Sequence, residues 1–235
     1  MSILVVVRHG QASLFSEDYD QLSEAGEIQS RELARYLNRK QIVFDELYVG
    51  PRKRHRATAE MVNELSDSLP PPEEISEFDE HHVDQLVADH LDELSDQFPY
   101  LKVLRESMHN AKTTIDRHRE FARLFESVST LWVNDACPLF GIEPWAEFKQ
   151  RVSSGIDRIV NRSGGGRTVM AVTSAGTIVA AMHRALQCPD EVALGLGWRI
   201  WNCSLTAFAF TKDRFTLDRF NSMSHLEDPE LWTYR

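Results

Sequence analysis

The 235-residue chain is 42% hydrophobic and 26% charged, which supplies apolar material for one sizeable core and excludes a disordered chain. Its formal net charge of −10 argues against a broad basic surface for nucleic acid or anionic lipid, so an anion would have to be held by a local pocket. Cys137, Cys188 and Cys203 lack C-x-x-C spacing and read as free thiols in a reducing compartment, outside any disulfide framework or zinc site. The first apolar run, Ile3 to Val7, is too brief for a signal-peptide core, and no stretch approaches the roughly 20 apolar residues of a membrane span. The expectation is a cytoplasmic protein with no membrane or nucleic-acid partner.

Ile3 to Val7 is β-branched without alternation, which predicts a strand covered on both faces, as in a parallel sheet. It delivers Arg8-His9-Gly10. Ser23 precedes a helical pattern through Ile28, Leu33, Tyr36 and Leu37, and it or a polar neighbour serves as the cap. Glu46 to Val49 reads as a second strand, ending at Gly50-Pro51, where a helix with a basic first turn carries Arg54, Ala57, Ala59, Met61 and Leu65. Pro70-Pro71-Pro72 interrupts that helix. From Val83 to Phe125 apolar residues recur at helical spacing with no strand signal; with a closing loop at Pro138 to Pro144 this predicts a helical insertion at about residues 80–145.

A helix around Trp145 to Val160 leads through Ser163-Gly164-Gly165-Gly166 to a third buried strand, Thr168 to Val172. Ser174-Ala175-Gly176 opens a helix from Ile178 to Leu186, and Ser204 to Phe210 with Phe215 to Phe220 reads as a hairpin or adjacent edge strands. This alternation predicts an α/β fold: a doubly wound, mostly parallel sheet flanked by helices, one domain over residues 1–235.

Arg8-His9-Gly10 stands where a buried strand ends, the usual place for ligands of open α/β sheets. A neutral imidazole attacks phosphorus, a guanidinium grips non-bridging oxygens in pairs, and glycine lets the backbone approach the ligand. Arg52, Lys53, Arg54 and Arg56 read either as a solvated basic helix face or, by helical spacing, as a group from which Arg54 faces the pocket.

Together, Arg8-His9-Gly10, Leu22-Ser23-x-x-Gly26-x-x-Gln29 and Pro51-x-x-Arg54-x-x-x-Thr58-Ala59 resemble the histidine phosphatase, or phosphoglycerate mutase-like, superfamily across nearly the whole chain. In that family the first strand ends in R-H-G, an L-[ST]-x-x-G-x-x-Q helix start follows, and an S-P-L-x-R-A-x-x-T-A element brings a second arginine to the phosphate. The resemblance implies a phosphohistidine on His9, phosphate binding by Arg8, Gly10 and Arg54, and a phosphoglycerate mutase-like fold. It also implies an acid in an L-x-E segment. Glu77 of Ile75-Ser76-Glu77 fits, with Asp79 and Glu80 as competitors; a carboxyl buried beside phosphate would be pushed up and able to donate a proton near neutral pH.

The largest departure from the family is Ser174, which stands where a second histidine is expected. A hydroxyl replaces a group that donates to the phosphoryl oxygens, and losing one such donor typically costs about 10²–10³ in rate. Ser174 at a helix N-terminus would still help bind the anion, or would simply cap the helix, or both. The polar residue common about five positions after the glycine is replaced by Phe15.

His81 and His82 are candidates to lean into the pocket or to pair at a metal. His55, His90, His109, His118 and His183 lie in helical patterns and read as solvated or structurally satisfied, and His225 has no readable role. Trp198, Trp201 and Trp232 read as interface or core, and the oligomeric state is not encoded legibly.

These readings point to a phosphomonoester hydrolase acting, without cofactor or metal, on a small phosphorylated metabolite or a phosphoprotein. A phosphoglycerate mutase-type transferase uses the same residues. A catalytically weak or inactive phosphate-binding pseudoenzyme is the rival from another class, motivated by Ser174.

Overall fold

The computed structural model describes residues 1–13, 20–66 and 69–234. Six strands form one sheet in the order β3-β2-β4-β1-β5-β6. β1 (Ser2–Arg8), β2 (Glu46–Val49), β3 (Pro72–Glu74) and β4 (Thr168–Thr173) run parallel, while β5 (Leu205–Thr211) is antiparallel to β1 and β6 (Arg214–Ser222) antiparallel to β5. Leu4 and Val6 of β1 join one apolar cluster while Val7 joins the other, so both sheet faces are covered and the run needs no polar alternation.

One face is packed by α1 (Glu24–Lys40) and α2 (Lys53–Glu64), through Leu33, Leu37 and Val62 against Met170 and Val172. The opposite face is covered by α7 (Trp145–Val160) and α8 (Ala175–Leu186), through Phe148, Ile156 and Ile178. Each such fully buried Leu, Ile or Phe contributes about 1.5–3 kcal/mol of burial free energy. Ser23 caps α1, its Oγ accepting from Gly26 N at 3.2 Å.

Three features depart from the sequence reading. The proline tract ends in a strand: Pro72 opens β3, and an edge strand tolerates a first residue that donates nothing to the ladder. β5 lies between β1 and β6, so only β6 of the hairpin is at the edge. A further helix, α9 (Asp190–Gly197), follows α8.

The helical stretch after β3 is divided into α3 (Val83–Asp89), α4 (Leu91–Gln97), α5 (Pro99–His109) and α6 (Thr114–Val133). Pro99 starts α5 at a position where its missing N–H costs nothing, and Thr113 caps α6 by accepting from Asp116 N at 3.0 Å. Leu124, Val128 and Trp132 recur every four residues and bury one stripe of α6. Among the described residues no helix is long and apolar enough to cross a membrane.

Candidate active site

Because β1, β2 and β4 are parallel neighbours, their C-terminal ends deliver three chain segments to one edge of the sheet. Arg8 is in register with Thr173 and Val49 with Val172. His9 N donates to Thr173 O at 2.8 Å and Gly50 N to Val172 O at 2.9 Å, which fixes the turns beyond the strands. The loop after His9 is then braced by α1 and α2. A Cβ on Gly10 would collide with the Gly26 carbonyl, so both glycines are needed for this close approach. Gln29 accepts from Gln11 N at 2.8 Å and donates to Leu231 O at 2.7 Å and Thr233 Oγ1 at 2.9 Å, while Gly10 N donates to Thr58 Oγ1 at 3.0 Å. Ser23, Gly26, Gln29 and Thr58 thus hold the loop that carries His9.

His9 is buried, with Nδ1 2.6 Å from the Gly10 carbonyl oxygen. A carbonyl only accepts, so Nδ1 carries the proton and Nε2 presents a lone pair. Arg54 Nε donates to that Nε2 at 3.1 Å. Burial first, then the guanidinium groups of Arg54 and Arg8, hold the ring well below the ordinary histidine pKa, so it is neutral at physiological pH. Arg54 is itself buried; Nη1 bonds to Asp20 Oδ1 at 2.7 Å and Nη2 to Ser174 Oγ at 3.4 Å. Arg8 donates to the carbonyls of Ile200 and Tyr234, which turns it along the wall of the same cavity.

Ser174 occupies the N-cap position of α8 but makes no capping bond. Its Oγ lies 2.6 Å from His55 Nε2 instead. The ring of His55 is fully buried, 5.6 Å from that of His9, and is held well below the ordinary histidine pKa by burial and by Arg54 and Arg52. A Cβ on Gly50 would collide with this ring, so glycine at the end of β2 makes room for it.

The acids separate clearly. Glu77 lies on a 3-10 turn, Ser76–Phe78; its Oε2 is 3.2 Å from Ser76 Oγ and 3.5 Å from Arg158 Nη1, and it does not line the cavity that contains His9. Glu80, three residues on, does line it. Glu80 Oε2 accepts from Gly176 N at 3.2 Å and Oε1 from His81 N at 3.0 Å. Burial pushes this carboxyl up, but His81, Arg54 and the two N–H groups outweigh burial and leave it below the usual range. Asp79 is taken by Arg52 Nε at 2.5 Å. Arg151 secures the segment by donating to the carbonyls of Glu77 at 2.9 Å and Asp79 at 3.2 Å. His81 lines the cavity, stacked on Phe125, tilted against Trp132 and edge-on to Phe148, whereas His82 lies 3.9 Å from Asp79 Oδ2 on the outer side.

His9, Arg8, Arg52, Arg54, Glu80 and Gly176 form one end of a cavity of about 690 Å³, and helices α3, α5, α6 and α9 supply much of its remaining lining. Among the described residues no group of three or more His, Cys, Asp or Glu is arranged to hold a metal ion. Phe15 lies outside the described residues.

A model of the histidine phosphatase superfamily (branch 1) matches residues 4–122 and 102–223. The chain belongs to this superfamily. No curated protein matches it in sequence. Among solved structures, Bacillus stearothermophilus YhfR aligns with a TM-score of 0.67 at 20% identity, over 97% of this chain and 100% of that one. The phosphoserine phosphatase of Entamoeba histolytica, solved with 3-phosphoglyceric acid, aligns at 0.65 and 18%, over 96% and 100%. The phosphoglycerate mutase of Bacillus anthracis str. Sterne aligns at 0.64 and 20%, over 96% and 95%. At these identities the likeness concerns the fold, a mixed α/β sheet of the phosphoglycerate mutase-like kind.

The structure brings His9, Gly10, Arg8, Arg54 and Ser174 together and leaves Glu77 aside. Three residues of this site carry more than the sequence reading assigns them. Glu80 was named only as a competitor, and nothing local to a short turn fixes which acid points inward. Asp20 carries no motif. His55 replaces the alanine that follows the family arginine while Ser174 replaces the family histidine and Gly50 the family serine; these three departures, taken jointly, were the available signal.

Proposed function

We propose that this chain is a phosphomonoester hydrolase that works through a phosphohistidine on His9. The observation that carries the reading is the pairing of a neutral, Nδ1-protonated His9 with Arg54 at its free Nε2, 3.1 Å away. An approaching phosphate takes over the donors of Arg54, with Arg8 as the second guanidinium, and Nε2 attacks phosphorus. The P–O ester bond breaks as the N–P bond forms.

Glu80 replaces Glu77 as the proton carrier in this reading. Its carboxylate receives the proton that a phosphomonoester monoanion brings, since the added negative charge raises its proton affinity, and passes it to the departing alkoxide. In the second step Glu80 takes a proton from water as that water attacks the phosphohistidine, and inorganic phosphate leaves. With the His55 proton on Nε2, the Ser174 oxygen accepts from that ring and the serine hydroxyl proton goes to a phosphoryl oxygen, so an imidazole one residue beyond Arg54 supports the donor that the family histidine would supply.

Ser174 also motivates the rival reading, a pocket that binds phosphate without turnover. The rival is weighed against the buried imidazole 2.6 Å from that hydroxyl, a costly arrangement for a site with no work to do. Release of phosphate from p-nitrophenyl phosphate by wild-type and His9→Ala protein separates them. Turnover that falls to background in His9→Ala, with an unchanged melting temperature, supports hydrolysis; equal rates in the two proteins would overturn it.

A further inference from the structure

The cavity has two chemically opposite ends. At the His9 end lie three guanidinium groups, Arg8, Arg52 and Arg54. At the other end the wall is apolar: Val87 of α3, Met108 of α5, Phe121 and Phe125 of α6, Leu194 of α9 and Trp198 just beyond it. The rings are packed together, Phe121 with Phe125 at 6.1 Å between centroids and Phe125 edge-on to Trp198 at 6.4 Å.

The charges at that end are mostly of the wrong sign for a second anion. Asp89 and Asp92 line it against the imidazole of His109 and one guanidinium, Arg105, which is already ion-paired with Asp92, while Asp84 lies close enough to Arg52 to act on its charge. A substrate carboxylate or second phosphate would meet carboxylates and aromatic rings, with no unengaged guanidinium or ammonium group among the described residues lining that end to compensate its desolvation. Volume argues the same way. Pockets of roughly 300–1,000 Å³ suit ligands the size of a drug molecule, and this one, at about 690 Å³, would be largely unfilled by a phosphorylated three-carbon acid.

We infer that the substrate is a phosphate monoester of a bulky apolar alcohol or phenol, uncharged outside its phosphate, whose organic part fills the chamber between α3, α5, α6 and α9. The inference rests on the hydrolase reading and narrows it. The phosphate sits on the arginines at the sheet edge, and specificity comes from apolar area removed from water at the far end, where each additional methylene is worth about 10-fold or more in kcat/KM.

The test compares 1-naphthyl phosphate and hexyl phosphate with 3-phosphoglycerate and phosphoserine as substrates of the full chain. The expected result is a kcat/KM at least about 10²-fold higher for 1-naphthyl phosphate than for 3-phosphoglycerate. Trp198→Ala and Phe121→Ser are expected to shrink that ratio about 10-fold. A ratio near one, or a preference for the acidic esters, would overturn the inference while His9-dependent turnover left the hydrolase reading standing. If no ester is turned over, the hydrolase reading fails, and calorimetry of His9→Ala protein with benzylphosphonate and phosphonoacetate still decides: preferential binding of benzylphosphonate supports the apolar chamber, and equal or reversed affinities overturn it. Should either chamber variant fail to fold, the wild-type panel and the phosphonate titration remain sufficient.

Discussion

The two ends of the cavity are built on different principles. At the sheet edge polar groups are held by specific hydrogen bonds: Nδ1 of His9 by the next carbonyl, Gly10 N by Thr58, Gln11 N by Gln29, and Glu80 by two backbone N–H groups. At the far end Val87, Met108, Phe121 and Leu194 come from four separate helices and build an apolar wall. Chemistry on phosphorus demands donors held within a few tenths of an ångström, so its residues are locked into motifs. Selection of an apolar group demands only shape and dryness, which many sequences satisfy.

The contrast can be broken first at the acid. Glu80→Gln keeps the shape of the side chain and removes its ability to carry a proton, so kcat for an alkyl phosphate should fall about 10²–10⁴-fold. Glu77→Gln, at a side chain engaged with Arg158, should stay within about 3-fold of wild type, since no proton transfer of the size just described would be lost. Esters with good leaving groups need less help from the acid, so the Glu80→Gln loss should be smaller for p-nitrophenyl phosphate. The reverse ranking of the two variants, measured by steady-state kinetics, would put the proton carrier back at Glu77.

A smaller effect is expected at the Ser174–His55 pair. Ser174→Ala and His55→Ala should each lower kcat about 10–10²-fold, somewhat less than loss of a complete oxyanion donor, and the double variant should be little worse than either single one, because the two act as one donor. Fully additive losses in this double-mutant cycle would mean that His55 does not work through the serine hydroxyl.

Much of the sheet was legible because the signals are dense: β1 and β4 are uninterrupted apolar runs, and each ends on polar residues that must leave the sheet. The convergence of His9, Arg54 and Ser174 follows from parallel pairing, which places strand ends on one edge. Legibility failed where geometry changes phase within a few residues. The 3-10 turn at Ser76–Phe78 followed by extended chain at Asp79 turns Glu77 outward and Glu80 inward, and no periodicity spans a segment so short. Helical spacing leaves His55 either solvated or structurally satisfied, and burial decides for the second: α2 begins over the strand ends, where Arg54 and His55, successive residues of its first turn, are both buried. β3 was hidden by Pro72, and the breaks between α3, α4 and α5 by apolar spacing that runs on through them. The chamber could not be seen at all, since a cavity is a property of how helices are set apart and leaves no trace in the order of residues along any one of them.

Hydrolysis by this route requires that the imidazole of His9 becomes phosphorylated. Rapid-quench labelling with a ³²P-labelled aryl phosphate, followed by peptide mapping, tests it directly. One labelled peptide containing His9 is expected, with a phosphoryl group stable in alkali and lost in acid, formed and discharged at rates compatible with turnover. Acid-stable label on Ser174, or steady turnover with no label on His9 at any quench time, would contradict it.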